Sequence, residues 1–321
     1  MNKYSYTSLE TFEQCPYKFK EVYINGNRSE ESTLSLEIGG LVHSIKELWA
    51  NFLKNNNPPD IDYLDYVLNN GIEYQEIVEI NNIEIKNEIT ETWLGIKDLK
   101  NKYFESYMEK CDKTGMTYDE KIKIFWNNLI TEFLDGWQIK GAEEQFQFVY
   151  NNRCILHGYI DRIDENEQGE IRVIDYKTSK NIYKNDKLAT PLQMFIYGLA
   201  CEHMYKKIPK VYIYEFVFLG KSQEACTPGY WNRGIKKLNG LLDKIEECAY
   251  KNEYPPKPSP LCYYCHLSAN TCVKDKKLNG LCEYYSLWTP NNRVFVVNKK
   301  WNDFNDKIKE QKTVIKKEFV W

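Results

Sequence analysis

The sequence predicts a mixed α/β fold. Apolar residues recur at helical spacing in the first third of the chain. Three β-prone runs joined by turn signals then follow one another, and after them come a helix, a strand and a helix. The 321 residues suit roughly two domains, or one large domain carrying an insertion. Hydrophobic residues make up 42% and charged residues 28%, ordinary values for a globular protein that exclude a disordered or collagen-like chain. No run of about 18 apolar residues occurs, so no membrane helix is expected. Met1–Tyr6 leads into no apolar signal region, and the expected location is the cytoplasm. A formal net charge of -3 does not advertise nucleic-acid binding, although a basic surface can be local.

The elements follow in order. Thr7-Ser8-Leu9-Glu10 has the form of a capping box and predicts a short helix with Leu9 and Phe12 on one side. Pro16 disturbs that helix just after Cys15. Residues 37–54 read as a second helix through Leu41, Ile45, Leu48, Trp49 and Phe52. Pro58 and Pro59 mark a linker, beyond which amphipathic patterns over 86–110 and 118–139 predict a helical insertion spanning 55–140. Gln145–Tyr150, Arg153–Ile163 and Glu170–Lys177 read as a β-meander, with turns at Asn151-Asn152 and Asp164–Gly169. Thr190-Pro191 opens a helix running to about Lys206. Lys210–Leu219 is β-prone and Trp231–Tyr250 is helical, which completes a core domain over 141–252. Proline-rich Tyr254–Pro260 is extended and leads into a cysteine-rich segment, 253–285. The remaining 286–321 forms a basic tail, with seven lysines against four acids over 298–321.

Several residue groups can carry chemistry. Asp175 and Lys177 lie two apart in a strand and share a face. Asp161 lies on the preceding strand, and two carboxylates on adjacent strands can converge on a hard cation, Mg²⁺ or Mn²⁺. The plain alternative is a cross-strand salt bridge on a solvated face. His43 follows two glycines on an otherwise apolar helix; it is either a hydrogen-bonded core histidine or a metal ligand. Gln193 and Tyr197 are four apart on one helix face, though Thr190-Pro191-Leu192-Gln193 is also a literal capping box.

The ten cysteines of a cytoplasmic chain are not read as disulfides. Cys262-Tyr-Tyr-Cys265, followed by Cys272, has the spacing of a metal or cluster site. Such a site needs a fourth ligand, for which Cys15 and Cys282 are candidates and His266 a weaker one. Spacing leaves zinc and iron–sulfur both open. Cys154 and Cys201 sit in apolar runs and read as core. No GxxxxGK[ST] phosphate loop and no GxSxG elbow occurs.

Six motifs in this order carry a resemblance: Ser8–Phe19, Gly40–His43, Gly158–Asp164, Val173–Thr178, Gln193–Tyr197 and Cys262–Cys265. Together they resemble the PD-(D/E)XK nuclease superfamily, and within it the RecB/AddB-like branch that includes the CRISPR adaptation exonucleases with an iron–sulfur cluster. The resemblance implies a restriction-endonuclease-like core and a metal-dependent deoxyribonuclease. It assigns His43, Asp161 and Asp175 as ligands of Mg²⁺ or Mn²⁺, with the backbone carbonyl of Tyr176 as a further ligand. Lys177 would orient or help deprotonate the attacking water, and Gln193 and Tyr197 would brace the site and touch DNA. Cys15, Cys262, Cys265 and Cys272 would hold a [4Fe–4S] cluster. An acidic residue before the first strand sometimes joins such sites, and Glu143 and Glu144 are the candidates here.

Six residues separate Cys265 from Cys272, more than is usual in the branch, which keeps Cys282 in play. The insertion favours a general RecB-like exonuclease on single-stranded DNA ends over a CRISPR adaptation nuclease. The rival from another class is a DNA-binding iron–sulfur partner subunit of a repair, recombination or CRISPR-adaptation complex, with weak or no cleavage of its own; a helicase or a recombination or CRISPR protein is the expected partner. A weaker rival is a zinc-bound interaction protein. Tyr and Trp residues of the insertion either stack on unpaired bases or fill a helical core.

Overall fold

The computed structural model describes residues 1–29, 136–179, 181–257 and 259–268, with single residues and short stretches between 36 and 54, at 124, and between 278 and 296. Cys272, the tail 298–321 and nearly all of the expected helical insertion lie outside the described residues. The chain divides into two units, each built from separated stretches: Met1–Tyr6 with Thr33–Asn239, and Thr7–Ser32 with Gly240–Trp321.

The first unit is organised by a six-stranded mixed sheet. Strand β1 (Lys3–Tyr4) lies parallel to β3 (Cys154–Asn166), which also pairs antiparallel with β2 (Trp137–Tyr150). Strand β4 (Ile171–Lys177) continues the meander antiparallel to β3, then pairs in parallel with β5 (Val211–Phe216), and β6 (Lys221–Glu224) closes the edge. The parallel β4–β5 step needs a crossover, supplied by helices α3 (Asn185–Ala189) and α4 (Leu192–Tyr205). Six consecutive residues of β4, Ile171–Tyr176, are buried, the pattern of a strand covered on both faces. Gly198 lets α4 approach β5, since a Cβ there would collide with the Tyr212 hydroxyl.

The hairpin β2–β3 turns at Asn151 and Asn152, whose φ angles of 47° and 56° suit a type I′ turn. Strand β2 begins eight residues earlier than the alternation at Gln145 indicates, at Trp137 paired with Asn166. The helical period read to residue 139 therefore fails at its end. Gly141, Glu143 and Glu144 interrupt the apolar alternation, and the register shifts between Ile139 and Gly141. Trp137 stacks on the Arg172 guanidinium at 4.8 Å, so its ring covers a sheet cation instead of a helix face. Beneath it, Asp164 is buried between Arg162 Nε at 2.6 Å and Arg172 Nε at 2.7 Å.

Helix α1 (Tyr6–Gln14), nearly all of it in the second unit, starts one residue before Thr7, so Thr7 sits within its first turn and not at its cap, and the Thr11 hydroxyl donates to the Thr7 carbonyl. Cys15 then caps α2 (Pro16–Phe19), its sulfur accepting from the Lys18 amide, with Pro16 in the first turn where a missing N–H costs nothing. Phe12 and Phe19 meet edge to face at 5.3 Å, and Phe19 stacks on Tyr254 at 6.4 Å. Helix α5 (Tyr230–Lys251) begins in the first unit and ends in the second. A short hairpin of β7 (Ser286–Trp288) and β8 (Val294–Val296) follows the cysteine-rich segment. No helix among the described residues is long and apolar enough to cross a membrane.

Candidate functional site

Two groups of chemically capable side chains are assembled, one in each unit. In the first unit, a helical turn brings His43 to the β2–β3 hairpin. His43 Nδ1 lies 3.1 Å from Glu143 Oε1 and 3.6 Å from Asp161 Oδ1. One donor atom from each of these three residues falls within 4.8 Å of the others, a spacing that fits a single metal ion. The geometry chooses between the two acidic candidates. Glu143 faces His43, whereas Glu144 lies against Gly141 and acts electrostatically on Cys201 and Tyr205. Glu143 holds a φ of 44°, a left-handed conformation that costs a non-glycine residue roughly 1–2 kcal/mol. Such strain clusters at functional sites.

The β4 residues complete the group. Asp161 Oδ2 accepts the Tyr176 amide at 2.7 Å, which turns the Tyr176 backbone towards the carboxylates. Asp175 forms an ion pair with Lys177 through Oδ2 and accepts the Tyr197 hydroxyl at 3.4 Å through Oδ1. Lys177 Nζ also donates to Gln193 Oε1 at 3.1 Å, and Gln193 Nε2 donates to the Tyr197 hydroxyl at 2.9 Å. Gln193 is thus spent on the site and not on a helix cap. The N-cap of α4 is Pro191, and Thr190 accepts from Arg233 Nε. The solvated salt bridge considered for Asp175 and Lys177 does not describe this pair, because Asp175 is 1% exposed.

Burial and mutual repulsion define the electrostatics. Burial raises the Asp161 carboxyl to about 8, and the Asp175 charge adds to the rise. Burial also raises Asp175, opposed by the Lys177 ammonium. For His43, burial lowers proton affinity, but the Glu143 hydrogen bond and the surrounding carboxylates outweigh it and raise the pKa. Lys177 is likewise held charged by Asp175 in spite of its burial. A buried group of acids that draws protons this strongly calls for positive charge, and one imidazole with several carboxylate oxygens is a donor set suited to Mn²⁺ or Mg²⁺.

Two residues that hold this site together escape the sequence reading. Lys46, one turn beyond His43, has a fully buried side chain; its Nζ lies 2.7 Å from Glu215 Oε1 and 4.7 Å from the Tyr176 ring centroid. The His43 ring meets the same Tyr176 ring edge to face at 5.9 Å. A lone Lys in an apolar helical pattern and a lone Glu in a β-prone run are the signals that mark them.

In the second unit, Cys15, Cys262, Cys265 and Cys282 line one cavity together with Lys18 and Ser268. Backbone amides point at the sulfurs: Lys18 and Lys257 at 3.5 Å from Cys15 Sγ, and Ser259 at 3.3 Å from Cys262 Sγ. Burial pushes the Cys265 thiol up, against the pull of the Lys18 charge and the Leu267 amide. His266 turns its Nε2 to the Asn27 carbonyl at 3.2 Å and does not line the cavity. Cys154 and Cys201 are buried in the first unit, as core residues.

Comparison with known proteins adds one finding. The family model described as the PD-(D/E)XK nuclease superfamily matches residues 3–270. No curated protein matches the chain.

Proposed function

Because this chain belongs to the PD-(D/E)XK nuclease superfamily, a family of metal-dependent nucleases, we propose that it is a RecB-like exonuclease hydrolysing phosphodiester bonds at single-stranded DNA ends. The observation that carries the reading is the convergence of His43, Glu143 and Asp161 beside the Asp175–Lys177 pair. In this reading His43, Glu143, Asp161, Asp175 and the Tyr176 carbonyl hold the cation. A bound Mg²⁺ or Mn²⁺ supplies Lewis-acid charge to the scissile phosphate and acidifies water.

The chain's own residues do the rest. Lys177 places a positive charge where the attacking water and the phosphorus centre gather negative charge, and its Nζ orients that water. Gln193 fixes Lys177, and Tyr197 fixes both Gln193 and Asp175, so the ammonium is positioned before substrate arrives. The burial of Asp161 and Asp175 keeps bulk water from screening these charges.

The cysteine cavity is read as the seat of a [4Fe–4S] cluster held by Cys15, Cys262, Cys265 and a fourth cysteine. Amide N–H groups aimed at sulfur favour the cluster-bound thiolate.

The test is digestion of single-stranded DNA, labelled at either end, by anaerobically purified protein with Mn²⁺, Mg²⁺ or EDTA. Cutting that requires the metal and is lost in Asp175→Ala and Lys177→Ala is the expected result, with the label position giving polarity. Binding of DNA with no cutting under any condition would replace this reading with that of a partner subunit.

A further inference from the structure

We propose that Cys282, and not Cys272, is the fourth protein ligand of the cluster in the second unit. This inference rests on the iron–sulfur reading given above. Cys282 lines the same cavity as Cys15, Cys262 and Cys265. Its backbone is fastened to the neighbours of two of them. The Cys282 amide donates to the Leu267 carbonyl at 2.8 Å, two residues beyond Cys265. The Tyr17 hydroxyl, two residues beyond Cys15, donates to the Leu281 carbonyl at 3.4 Å.

A turn delivers the chain to this point: Leu281 N–H donates to the Leu278 carbonyl, and Gly280 takes a φ of 84° that a side chain would strain. Three separate stretches of sequence thus each present thiols to one space. Cys15 comes from the cap of α2, Cys262 and Cys265 from the turn after the extended segment, and Cys282 from the returning strand of chain. One thiolate from the first stretch, two from the second and one from the third give four ligands, the number a [4Fe–4S] cluster takes.

The experiment compares wild type, Cys272→Ser and Cys282→Ser, each purified anaerobically, by iron, sulfide and zinc content and by visible absorbance. Cys272→Ser is expected to keep the cluster and Cys282→Ser to lose most of its iron and sulfide. A second measurement avoids any folding defect in the variants: alkylation of folded wild type, mapped by mass spectrometry before and after the metal is stripped. Cys282 is expected to react only after stripping. Loss of the cluster from Cys272→Ser, retention by Cys282→Ser, or a Cys282 that alkylates in the loaded protein would each overturn the assignment. Zinc in place of iron, with Cys282 protected, would overturn the iron–sulfur reading and uphold Cys282 as the ligand. Wild type without any bound metal would overturn both.

Discussion

At the residue scale, Glu143 is the position where backbone and side chain are both committed. Its φ of 44° turns the carboxylate out of the regular β2 alternation and towards His43, 3.1 Å away. Its neighbour Glu144 keeps regular register opposite Ile160. Glu143→Gln should therefore weaken Mn²⁺ binding by roughly tenfold or more, the loss of one charged ligand. Glu144→Gln should leave it unchanged, and equal effects in isothermal titration would refute the distinction.

The same titration carries a pH test. Asp161 holds its proton up to about 8, and a protonated carboxyl does not ligate metal. Binding at neutral pH should thus release protons, and affinity should fall by up to about tenfold per pH unit below about 8 for each proton displaced. Heats of binding that are the same in buffers of different ionisation enthalpy would contradict this. Sequence alone left Glu143 and Glu144 equivalent, because adjacent strand residues differ in face and the face depends on a register shift no pattern reveals. Asp161, Asp175 and Lys177 were legible because their spacing on two strands is itself the signal.

At the scale of elements, the His43 turn is held by a buried ion pair rather than by apolar contact alone. The Lys46 side chain has no exposure and the Glu215 side chain 13%, so removing one partner leaves the other buried beside Tyr176. Lys46→Met should cost about 3–5 kcal/mol in denaturant unfolding, whereas Lys46→Met with Glu215→Leu should recover most of it. A single variant as stable as wild type would show that this pair does not hold the turn. The elements themselves were unevenly legible. Helix α4 and strand β4 announce themselves by long apolar runs. The first half of β2 does not, since Lys140, Gly141, Glu143 and Glu144 serve a bulge and a site instead of a core face. Strand β1 is two residues long, too short for any period to register.

At the scale of the whole molecule, both units are assembled from distant parts of the chain. The first six residues join the sheet of one unit, and the next 26, Thr7–Ser32, join the C-terminal stretch in the other. Motif order made this arrangement partly legible: Cys15 and the Cys262–Cys265 pair only make sense together if the ends of the chain meet. Cys282 was legible only as one candidate beside Cys272, because sixteen residues separate it from Cys265 and no spacing rule reaches that far. The nuclease reading rests on the first unit, where His43, Glu143 and Asp161 meet. Diffraction from crystals soaked in Mn²⁺, recorded near the manganese absorption edge, locates the ion directly. An anomalous peak about 2.2 Å from His43 Nδ1 and from the Glu143 and Asp161 carboxylates is the predicted result. A manganese peak elsewhere, or none in this group at saturating Mn²⁺, would show that His43, Glu143 and Asp161 are not the metal centre.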